Sequence, residues 1–459
     1  MSSQLNASAL FDFGQVSYDK DSEVHLDFIL KAPEKTDSKR IPLHLILAID
    51  CSGSMDGGKL ETVKKTTTKL IDHLTENDTL GIIGFSDNVW DIFKALPMTK
   101  ETKEQAKKEV KKLHTMSATN LSGAMIMAME RALISDDSKI SRIILLTDGL
   151  PSSGECDKQK LIELAYKMNQ RVSMSTFGYG YDFDAELMAS ISSAGRGSSF
   201  YIKEDEDCNK AFAMELGGLL SLYAQNIKLV ITPSKNMEFK ELLSEYKCEQ
   251  KQGYRLITAP KIEIQIDDIF AGETKHVVLK LSVPQATEAV CARDTRICTV
   301  DIFYTDIETK ANISTSFNSF IQYVKPDKAP KSPNEDVHKQ ILLLEAAKFQ
   351  KEAQDKADQG DYGEAKNILT RGLNFCKSNE HLMENAPALV NMFSNLQANF
   401  SDAHTYRSKG TRLAASYRYS MSNNRAGSAD TLGATYMSSD QADMLAQFME
   451  DPDSEKKDV

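Results

Sequence analysis

The stretch that decides the fold is LHLILAIDCSGSM at residues 43–55, where an apolar run passes directly into small polar residues. Leu43–Ile49 is apolar at nearly every position, which is typical of a β-strand buried on both faces. Asp50, Ser52 and Ser54 follow it on alternate positions. Because parallel sheets bind ligands at the carboxyl ends of their strands, we expect the chemistry of this protein at that point.

Strand-like and helix-like segments alternate throughout residues 40–225. Apolar runs at Thr79–Phe85 and Arg142–Leu146 predict two further buried strands, and Lys59–Leu74 has its apolar residues at helical spacing. Repeated strand–helix units imply right-handed crossovers and a central, mainly parallel sheet with helices on both faces. The sequence therefore predicts an α/β domain in this region.

A different pattern surrounds that domain. From Ile227 to Val324, apolar and polar residues alternate over short stretches separated by Gly and Pro, which is typical of an antiparallel β-sandwich. The segment EVHLDFILKAP at 23–33 has the same two-residue period, so it also needs a sheet to join. We expect it to pair with the later strands, so that the α/β domain is inserted into the β-sandwich.

The C-terminal part of the chain changes from helical to polar. Apolar spacing predicts a helical hairpin over Val337–Leu373 with its break at Gly360, and a third helix over Ala388–Tyr406. This helical region either braces the sandwich or offers a second partner surface. The stretch from Ser408 is rich in Ser, Asn, Gly and Met, which predicts a largely flexible tail with one short helix at Asp440–Met449. The expected organisation is N-terminal strands at 1–39, the α/β domain at 40–225, the sandwich at 226–324, a linker at 325–336, the helical region at 337–407 and the tail at 408–459.

Oxygen-bearing side chains occur in three loops of the predicted α/β domain. Two of these loops directly follow buried strands, and the third precedes a helix. The carboxyl ends of neighbouring parallel strands meet at one edge of a sheet, so we expect the loops to converge. Carboxylate and hydroxyl oxygens suit Mg²⁺ or Mn²⁺. The sequence therefore predicts a metal site formed by Asp50, Ser52, Ser54, Thr119 and Asp148.

The order of these motifs carries a family resemblance. D-x-S-G-S-M at 50–55, T-N-L-S-G at 119–123 and T-D-G at 147–149 resemble the signature of the von Willebrand factor A (vWA) domain and its metal-ion-dependent adhesion site. The flanking strands and the helical hairpin resemble those of intracellular vWA proteins with a C-terminal helical (Vwaint) region. Some of those relatives carry a RING-type zinc module and act as ubiquitin ligases, but this sequence lacks the Cys/His spacing of such a module.

The resemblance implies a Rossmann-like vWA fold and a role for each predicted ligand. Ser52, Ser54 and Thr119 would coordinate the cation directly or nearly so. Asp50 and Asp148 would hold its water molecules, and one or the other could bind it directly. The implied ion is Mg²⁺, with Mn²⁺ or Ca²⁺ as alternatives, and an acidic side chain of a partner protein would take the remaining coordination position.

Composition and charge exclude several classes of function. The chain has 66 acidic and 55 basic residues and a pI near 5.4, which argues against nucleic-acid binding. No apolar run is long enough to span a bilayer, and no secretory signal is visible, so we expect a cytoplasmic protein. The seven cysteines are scattered without C-x-x-C spacing, which predicts free thiols, with a hairpin disulfide between Cys291 and Cys298 as the alternative.

The sequence thus predicts a non-enzymatic interaction protein that binds an acidic partner protein through a Mg²⁺-occupied site. No phosphate loop of the form G-x-x-x-x-G-K-S/T is present, and no His is spaced to activate Ser52 as a nucleophile. The alternative is a recruiting subunit of a ubiquitin ligase or of a chelatase-type or AAA-type ATPase machine. The sequence leaves the oligomeric state open.

Overall fold

The computed structural model of the protein describes residues 4–34, 40–135, 138–168, 172–180, 183–235, 237–251, 261–383, 386–423 and 439–449. The chain divides into two compact units. The first, here called the sandwich unit, comprises Met1–Lys35, Tyr223–Gln397 and Met421–Asn424. The second, here called the α/β unit, comprises Thr36–Leu222, Ala398–Ser420 and Arg425–Val459.

Strands and helices are numbered in chain order. The strands are β1 (Asn6–Phe11), β2 (Gln15–Ser17), β3 (Ser22–Lys31), β4 (Leu43–Asp50), β5 (Thr79–Phe85), β6 (Val89–Pro97), β7 (Ile140–Thr147), β8 (Ser173–Tyr179), β9 (Arg196–Ile202), β10 (Leu222–Pro233), β11 (Glu238–Leu242), β12 (Lys247–Lys251), β13 (Lys261–Ile266), β14 (Ile269–Phe270), β15 (Thr274–Val283), β16 (Asp294–Asp306) and β17 (Asn312–Val324). The helices are α1 (Lys59–His73), α2 (Lys100–Lys111), α3 (Leu121–Ala132), α4 (Lys158–Met168), α5 (Ala185–Ala194), α6 (Asp205–Leu220), α7 (Glu335–Asp358), α8 (Tyr362–Ser378), α9 (Ala386–Asn399), α10 (Ala403–Thr405), α11 (Thr411–Asn423) and α12 (Ser439–Met449).

The sandwich unit contains two sheets, ordered β1-β3-β15-β11 and β12-β13-β10-β16-β17-β2. β3 is antiparallel to β15 along its whole length, from the pair Ser22 and Val283 to the pair Lys31 and Thr274. Its two-residue period buries Leu26 and Phe28 in a core shared with residues of the second sheet. β3 is therefore an internal strand of its sheet, between β1 and β15, and the prediction of an α/β domain inserted into an antiparallel sandwich is confirmed.

The α/β unit contains a six-stranded sheet ordered β6-β5-β4-β7-β8-β9. Every adjacent pair is parallel except β5 and β6, which are antiparallel. β4 is buried at every position, because helices cover a parallel sheet on both faces. On one of those faces, Ile46 and Ala48 lie in a core with residues of α3, α4 and α5. This confirms the predicted mainly parallel central sheet, and it places the ends of β4 and β7 side by side.

The predicted helical hairpin consists of α7 and α8, with Gly360 in the left-handed region at φ 84° between them. α7 starts inside the predicted linker at 325–336, because the Asn334 side chain accepts a hydrogen bond from the Val337 backbone N–H at 3.2 Å. The predicted third helix over Ala388–Tyr406 is shorter than expected. α9 ends at Asn399, and a new helical turn begins where the Asp402 carboxylate caps α10.

The hairpin contacts the sandwich directly. Leu344 of α7 is buried in a small cluster with Leu243 and Val278. Beside this cluster, the Lys348 ammonium lies 3.0 Å from the Glu241 carboxylate of β11. These contacts favour the bracing role for the helices over a purely partner-binding role.

We expect Leu344→Ala to lower the free energy of unfolding of the sandwich unit by about 2–3 kcal/mol, because it leaves a cavity in that cluster. Urea denaturation of the full chain followed by circular dichroism should show the loss. The single tryptophan, Trp90 in β6, reports on the α/β unit, and its fluorescence midpoint should stay in place. The exposed Lys351→Ala on the same helix is the control, and an unchanged denaturation curve for Leu344→Ala would refute bracing.

The tail is more ordered than its composition predicts. The sequence predicts a largely flexible region at 408–459 with one short helix, but the described part of that region contains the helices α11 and α12, which both have contacts inside the α/β unit. The Arg412 guanidinium lies over the Phe183 ring, 5.9 Å from its centroid. In α12, Phe448 stacks on His73 with ring centroids 4.6 Å apart, and the Gln441 amide donates to the Met214 carbonyl at 3.0 Å. α12 confirms the predicted short helix at Asp440–Met449, whereas α11 lies in the part of the tail predicted to be flexible and is ordered by long-range contacts that a local reading of polar sequence misses; residues 424–438 and 450–459 lie outside the described residues.

Two further predictions concern membranes and cysteines. Within the described ranges, no helix has both the length and the apolar character needed to cross a bilayer. All seven cysteines are free thiols, including Cys291 and Cys298. The hairpin disulfide that the sequence left as an alternative is therefore not formed.

Candidate metal site

The Asp50 carboxylate lies at the end of β4 and is held by two hydrogen bonds. Its Oδ1 accepts from the Ser52 backbone N–H at 2.7 Å, and its Oδ2 accepts from the Thr147 hydroxyl at 2.5 Å. Burial raises the pKa of Asp50 to about 6, and the charge of Asp148 acts in the same direction. Thr147 thus links the end of β7 to the end of β4, so the two loops that follow these strands are fixed against each other.

The loop after β4 is also joined to the loop before α3. The Gly53 N–H donates to the Ser117 carbonyl at 3.2 Å, and the Met116 N–H donates to the Cys51 carbonyl at 2.6 Å. A side chain at Gly53 would meet the Met116 carbonyl oxygen, because an added Cβ would lie 3.1 Å from it. Glycine therefore allows the close approach of two loops here, since a larger residue would require one of them to shift by a few tenths of an ångström.

The thiol of Cys51 lies between the two oxygen-bearing residues of this loop and is fully buried. Burial raises the pKa of the Cys51 thiol to about 12, and the charge of Asp50 adds to the effect. A cysteine binds metal as a thiolate, so a thiol with this pKa is a poor ligand at neutral pH. The oxygen donors around it carry the chemistry of the loop.

The serine hydroxyls connect this loop to the loop after β7. The Ser52 and Ser54 hydroxyl oxygens are 3.0 Å apart, and the Ser54 hydroxyl donates to Asp148 Oδ1 at 2.6 Å. Ser52 and Asp148 are buried, whereas Ser54 is exposed. The chain of polar contacts therefore runs from the interior of the unit to its surface.

Thr119 reaches the same place from the third loop. A methyl group added to Gly149 would lie 3.3 Å from the Ser54 hydroxyl oxygen and also 3.3 Å from the Thr119 hydroxyl oxygen. The backbone of Thr119 is fixed by its N–H, which donates to the Ser152 hydroxyl at 3.0 Å, and by its carbonyl, which accepts from the Ser152 N–H at 3.0 Å. The structure thus brings the three loops with all five predicted residues to one edge of the sheet, and it places the Ser54 and Thr119 hydroxyls together beside Gly149.

Lys59 is a member of this site that sequence reasoning missed. Its ammonium lies 2.6 Å from Asp148 Oδ2 and 3.2 Å from the Ser54 carbonyl oxygen. Lys59 is the first residue of α1, and it follows Gly57 and Gly58, which have φ angles of 79° and 107°. These left-handed conformations favour glycine and turn the helix start back towards the loop. The paired glycines were the available signal in the sequence.

The donor set determines which ligand fits. In the part of the chain that the structure describes, no three His, Cys, Asp or Glu side chains cluster in a way that could hold a metal ion. The site instead combines two carboxylates with three hydroxyls, all of them oxygen donors. Such a set suits a hard divalent cation, which takes oxygen ligands and keeps water in its coordination sphere. The place beside Gly149, where the Ser54 and Thr119 hydroxyls and the Asp148 carboxylate come together, offers oxygen donors of the kind that such an ion takes.

Comparison with known proteins gives a family for part of the chain. Residues 44–213 match the family model of the von Willebrand factor type A domain. An uncharacterized protein of Synechocystis sp. is 24% identical over 269 residues, which are 58% of this chain and 63% of that protein. The inter-alpha-trypsin inhibitor heavy chain H4 of Bos taurus is 30% identical over 176 residues, which are 36% of this chain and 19% of the heavy chain. The chain thus spans less than two thirds of these relatives.

Two solved structures resemble nearly the whole chain. A von Willebrand factor type A protein from Catenulispora acidiphila has a TM-score of 0.67 at 16% identity and covers 89% of this chain and 97% of its own. The ArnB paralog VWA2 from Sulfolobus acidocaldarius has a TM-score of 0.59 at 16% identity, with coverage of 90% and 99%. These likenesses establish the fold alone. The family match over residues 44–213 shows that the α/β unit of this protein contains a von Willebrand factor type A domain.

Proposed function

We propose that this protein is a non-enzymatic interaction protein that binds Mg²⁺ at Asp50, Ser52, Ser54, Thr119 and Asp148, and binds an acidic side chain of a partner protein through that ion. The observation that carries the proposal is the convergence of the Ser54 and Thr119 hydroxyls and the Asp148 carboxylate beside Gly149. The membership of residues 44–213 in a domain family with this motif order supports it.

Each side chain has a role that follows from its contacts. The Asp50 oxygens already accept two hydrogen bonds, so this carboxylate is suited to orient the loop and to hold water. The hydroxyls of Ser52, Ser54 and Thr119 are neutral donors, which offset little of the charge of a cation. When bound, Mg²⁺ supplies a Lewis-acidic centre that can take a carboxylate oxygen. The exposure of Ser54 leaves the site open to a partner from the solvent side.

The metal half of the proposal is tested by thermal unfolding in Mg²⁺ and in chelator. A ligand that binds only the folded state stabilises it by about 2.7 kcal/mol at 100 times its Kd. For a unit of this size we expect Mg²⁺ to raise the Tm of the Trp90 fluorescence transition by roughly 5–10 °C, because about 2–4 °C corresponds to each kcal/mol. An unchanged Tm at millimolar Mg²⁺, with calorimetry showing no heat of binding, would refute the metal site.

The partner half is tested with short peptides that contain one Asp or Glu among neutral residues. The full chain should retain such peptides in Mg²⁺ and lose them in chelator. The same peptides with Asn or Gln in place of the acid are the matched control, since they keep the shape but lose the charge. Retention that does not depend on the acid would contradict binding of a carboxylate by the ion.

A further inference from the structure

We infer that Lys59 is a specificity-determining residue of the cation site, where its ammonium lowers the affinity for the metal and raises the affinity of the loaded site for a carboxylate. This inference rests on the proposed function. It concerns the net charge around the ion. The five oxygen donors alone do not set this charge, because the Lys59 ammonium contributes to it.

The ammonium of Lys59 is built into the site. It lies 2.6 Å from Asp148 Oδ2, while Asp148 Oδ1 accepts a hydrogen bond from Ser54, so the two oxygens of one carboxylate contact both the lysine and a predicted metal ligand. The Asp148 side chain is 0% exposed and the Lys59 side chain is 24% exposed. The end of the lysine also lies close to Gly180, where an added Cβ would be 3.3 Å from both Cε and Nζ.

The backbone before Lys59 shows how this placement is achieved. Gly57 and Gly58 both have positive φ, and the ammonium donates a second hydrogen bond to the Ser54 carbonyl at 3.2 Å. The lysine therefore bridges the start of α1 and two loops of the site. By contrast, Lys64 of the same helix pairs with the neighbouring Glu61.

The formal charges then give the expected effect. Asp50 and Asp148 supply two negative charges, and Lys59 offsets one of them. A divalent cation would leave the complete site with one net positive charge, whereas without Lys59 the loaded site would be neutral. At separations of a few ångströms and partial burial, one unit charge changes an ionic interaction substantially. Lys59 should therefore oppose the entry of the cation and attract an incoming carboxylate.

A purely structural role for Lys59 makes a different prediction. If the ammonium only neutralised buried Asp148 and stabilised the loop, its removal would disorder the site and weaken the binding of metal and carboxylate together. The charge argument predicts that the two affinities move in opposite directions. This opposite movement is the readout that separates the two roles.

The test uses the full chain with Mn²⁺ alone and then with acetate as the carboxylate probe, both followed by water-proton relaxation. For Lys59→Gln we expect Mn²⁺ to bind roughly threefold to tenfold more tightly, and acetate to bind the Mn²⁺-loaded site more weakly by a similar factor. Lys59→Arg keeps the charge and should remain within about twofold of the wild type in both measurements. The exposed Lys65→Gln on the same helix removes one charge away from the site and is the matched control.

A second readout is the unfolding temperature, which is measured first without metal and then with Mn²⁺. In chelator, Lys59→Gln should unfold at a lower temperature than the wild type, because Asp148 is left buried without its counter-charge. Adding Mn²⁺ should close much of that gap, so that the shift in Tm on metal addition is larger in the variant than in the wild type. The unfolding temperatures in chelator and in Mn²⁺ are also measured for Lys59→Met, whose side chain cannot donate a hydrogen bond.

The outcomes distinguish this inference from the proposed function. Failure of the wild type to bind Mn²⁺ would overturn the proposed function itself. Binding by the wild type, with Mn²⁺ affinity unchanged or weakened in Lys59→Gln, would overturn the role of Lys59 alone. Failure of both neutral variants to fold, even in Mn²⁺, would show that the lysine serves the fold and would likewise overturn it.

Discussion

Asp148→Ala is expected to weaken Mg²⁺ binding by about 100-fold or more, and to abolish Mg²⁺-dependent retention of acidic peptides with it. The variant removes one of the two negative charges of the site and the acceptor of the Ser54 hydroxyl. It also releases the Lys59 ammonium, which then lies uncompensated beside the space for the cation. Calorimetry of the full chain with Mg²⁺ measures the loss.

The fold should survive this change, because Asp148 belongs to a loop after β7 and Lys59 can reach solvent. We expect the free energy of unfolding in chelator to change by less than about 2 kcal/mol. Asp56→Ala removes an exposed carboxylate a few residues along the first loop and is the charge-matched control. Gly149→Ala fills the space beside the hydroxyls at constant charge and should also lose Mg²⁺. Wild-type affinity in both Asp148→Ala and Gly149→Ala would place the ion elsewhere.

Glu215→Gln should destabilise the α/β unit by about 3 kcal/mol, which corresponds to a fall in Tm of roughly 6–12 °C. Arg142 and Glu215 are each 2% exposed, and Arg142 Nε lies 3.6 Å from Glu215 Oε1. Ser175 joins them, since its hydroxyl donates to the same oxygen at 2.6 Å. The neutral variant leaves the arginine charge buried without its carboxylate. Thermal unfolding in chelator, followed by Trp90 fluorescence, measures the effect.

The matched control is Glu186→Gln, which neutralises an exposed acid on α5 of the same unit and should leave the Tm within about 1–2 °C. The double variant Arg142→Met with Glu215→Leu should recover most of the stability, because it removes both buried charges and fills similar volume. A double variant no more stable than Glu215→Gln would mean that loss of the ion pair itself, and not the buried arginine charge, sets the cost.

The sequence predicted that the loops with the five oxygen-bearing residues lie together, because the positions of those residues follow from local features. Asp50 and Asp148 directly follow apolar runs that read as buried strands, and the parallel arrangement of such strands brings their ends together. Thr119 precedes a helix whose start is capped by Asn120, which is again a local signal. Motif order and the expected parallel pairing of strands are therefore enough to bring these residues together.

Lys59 could not be placed in the same way. Its partner Asp148 is 89 residues away in the chain, and a lysine at the start of an amphipathic helix reads as a solvent-exposed charge. The direction of the Lys59 side chain depends on the positive φ angles of Gly57 and Gly58. A pair of glycines permits these angles but does not specify them. The helix α11 was missed for a similar reason, because Arg412 is fixed by Phe183, more than two hundred residues away; the sequence did predict the helix α12, but not the contact of its Phe448 with His73.

The packing of α12 on α6 has a consequence while the protein is being synthesised on the ribosome. Gly217 of α6 lies so close to Gln441 that an added Cβ would be 2.7 Å from its Cα. Roughly 220 residues separate the end of α6 from the start of α12. At translation rates of about 5–20 residues per second, α6 waits on the order of 10–40 s for this partner. During that interval the nascent domain presents His73 and the Gly217 surface without α12, so the domain is completed only when α12 has been made.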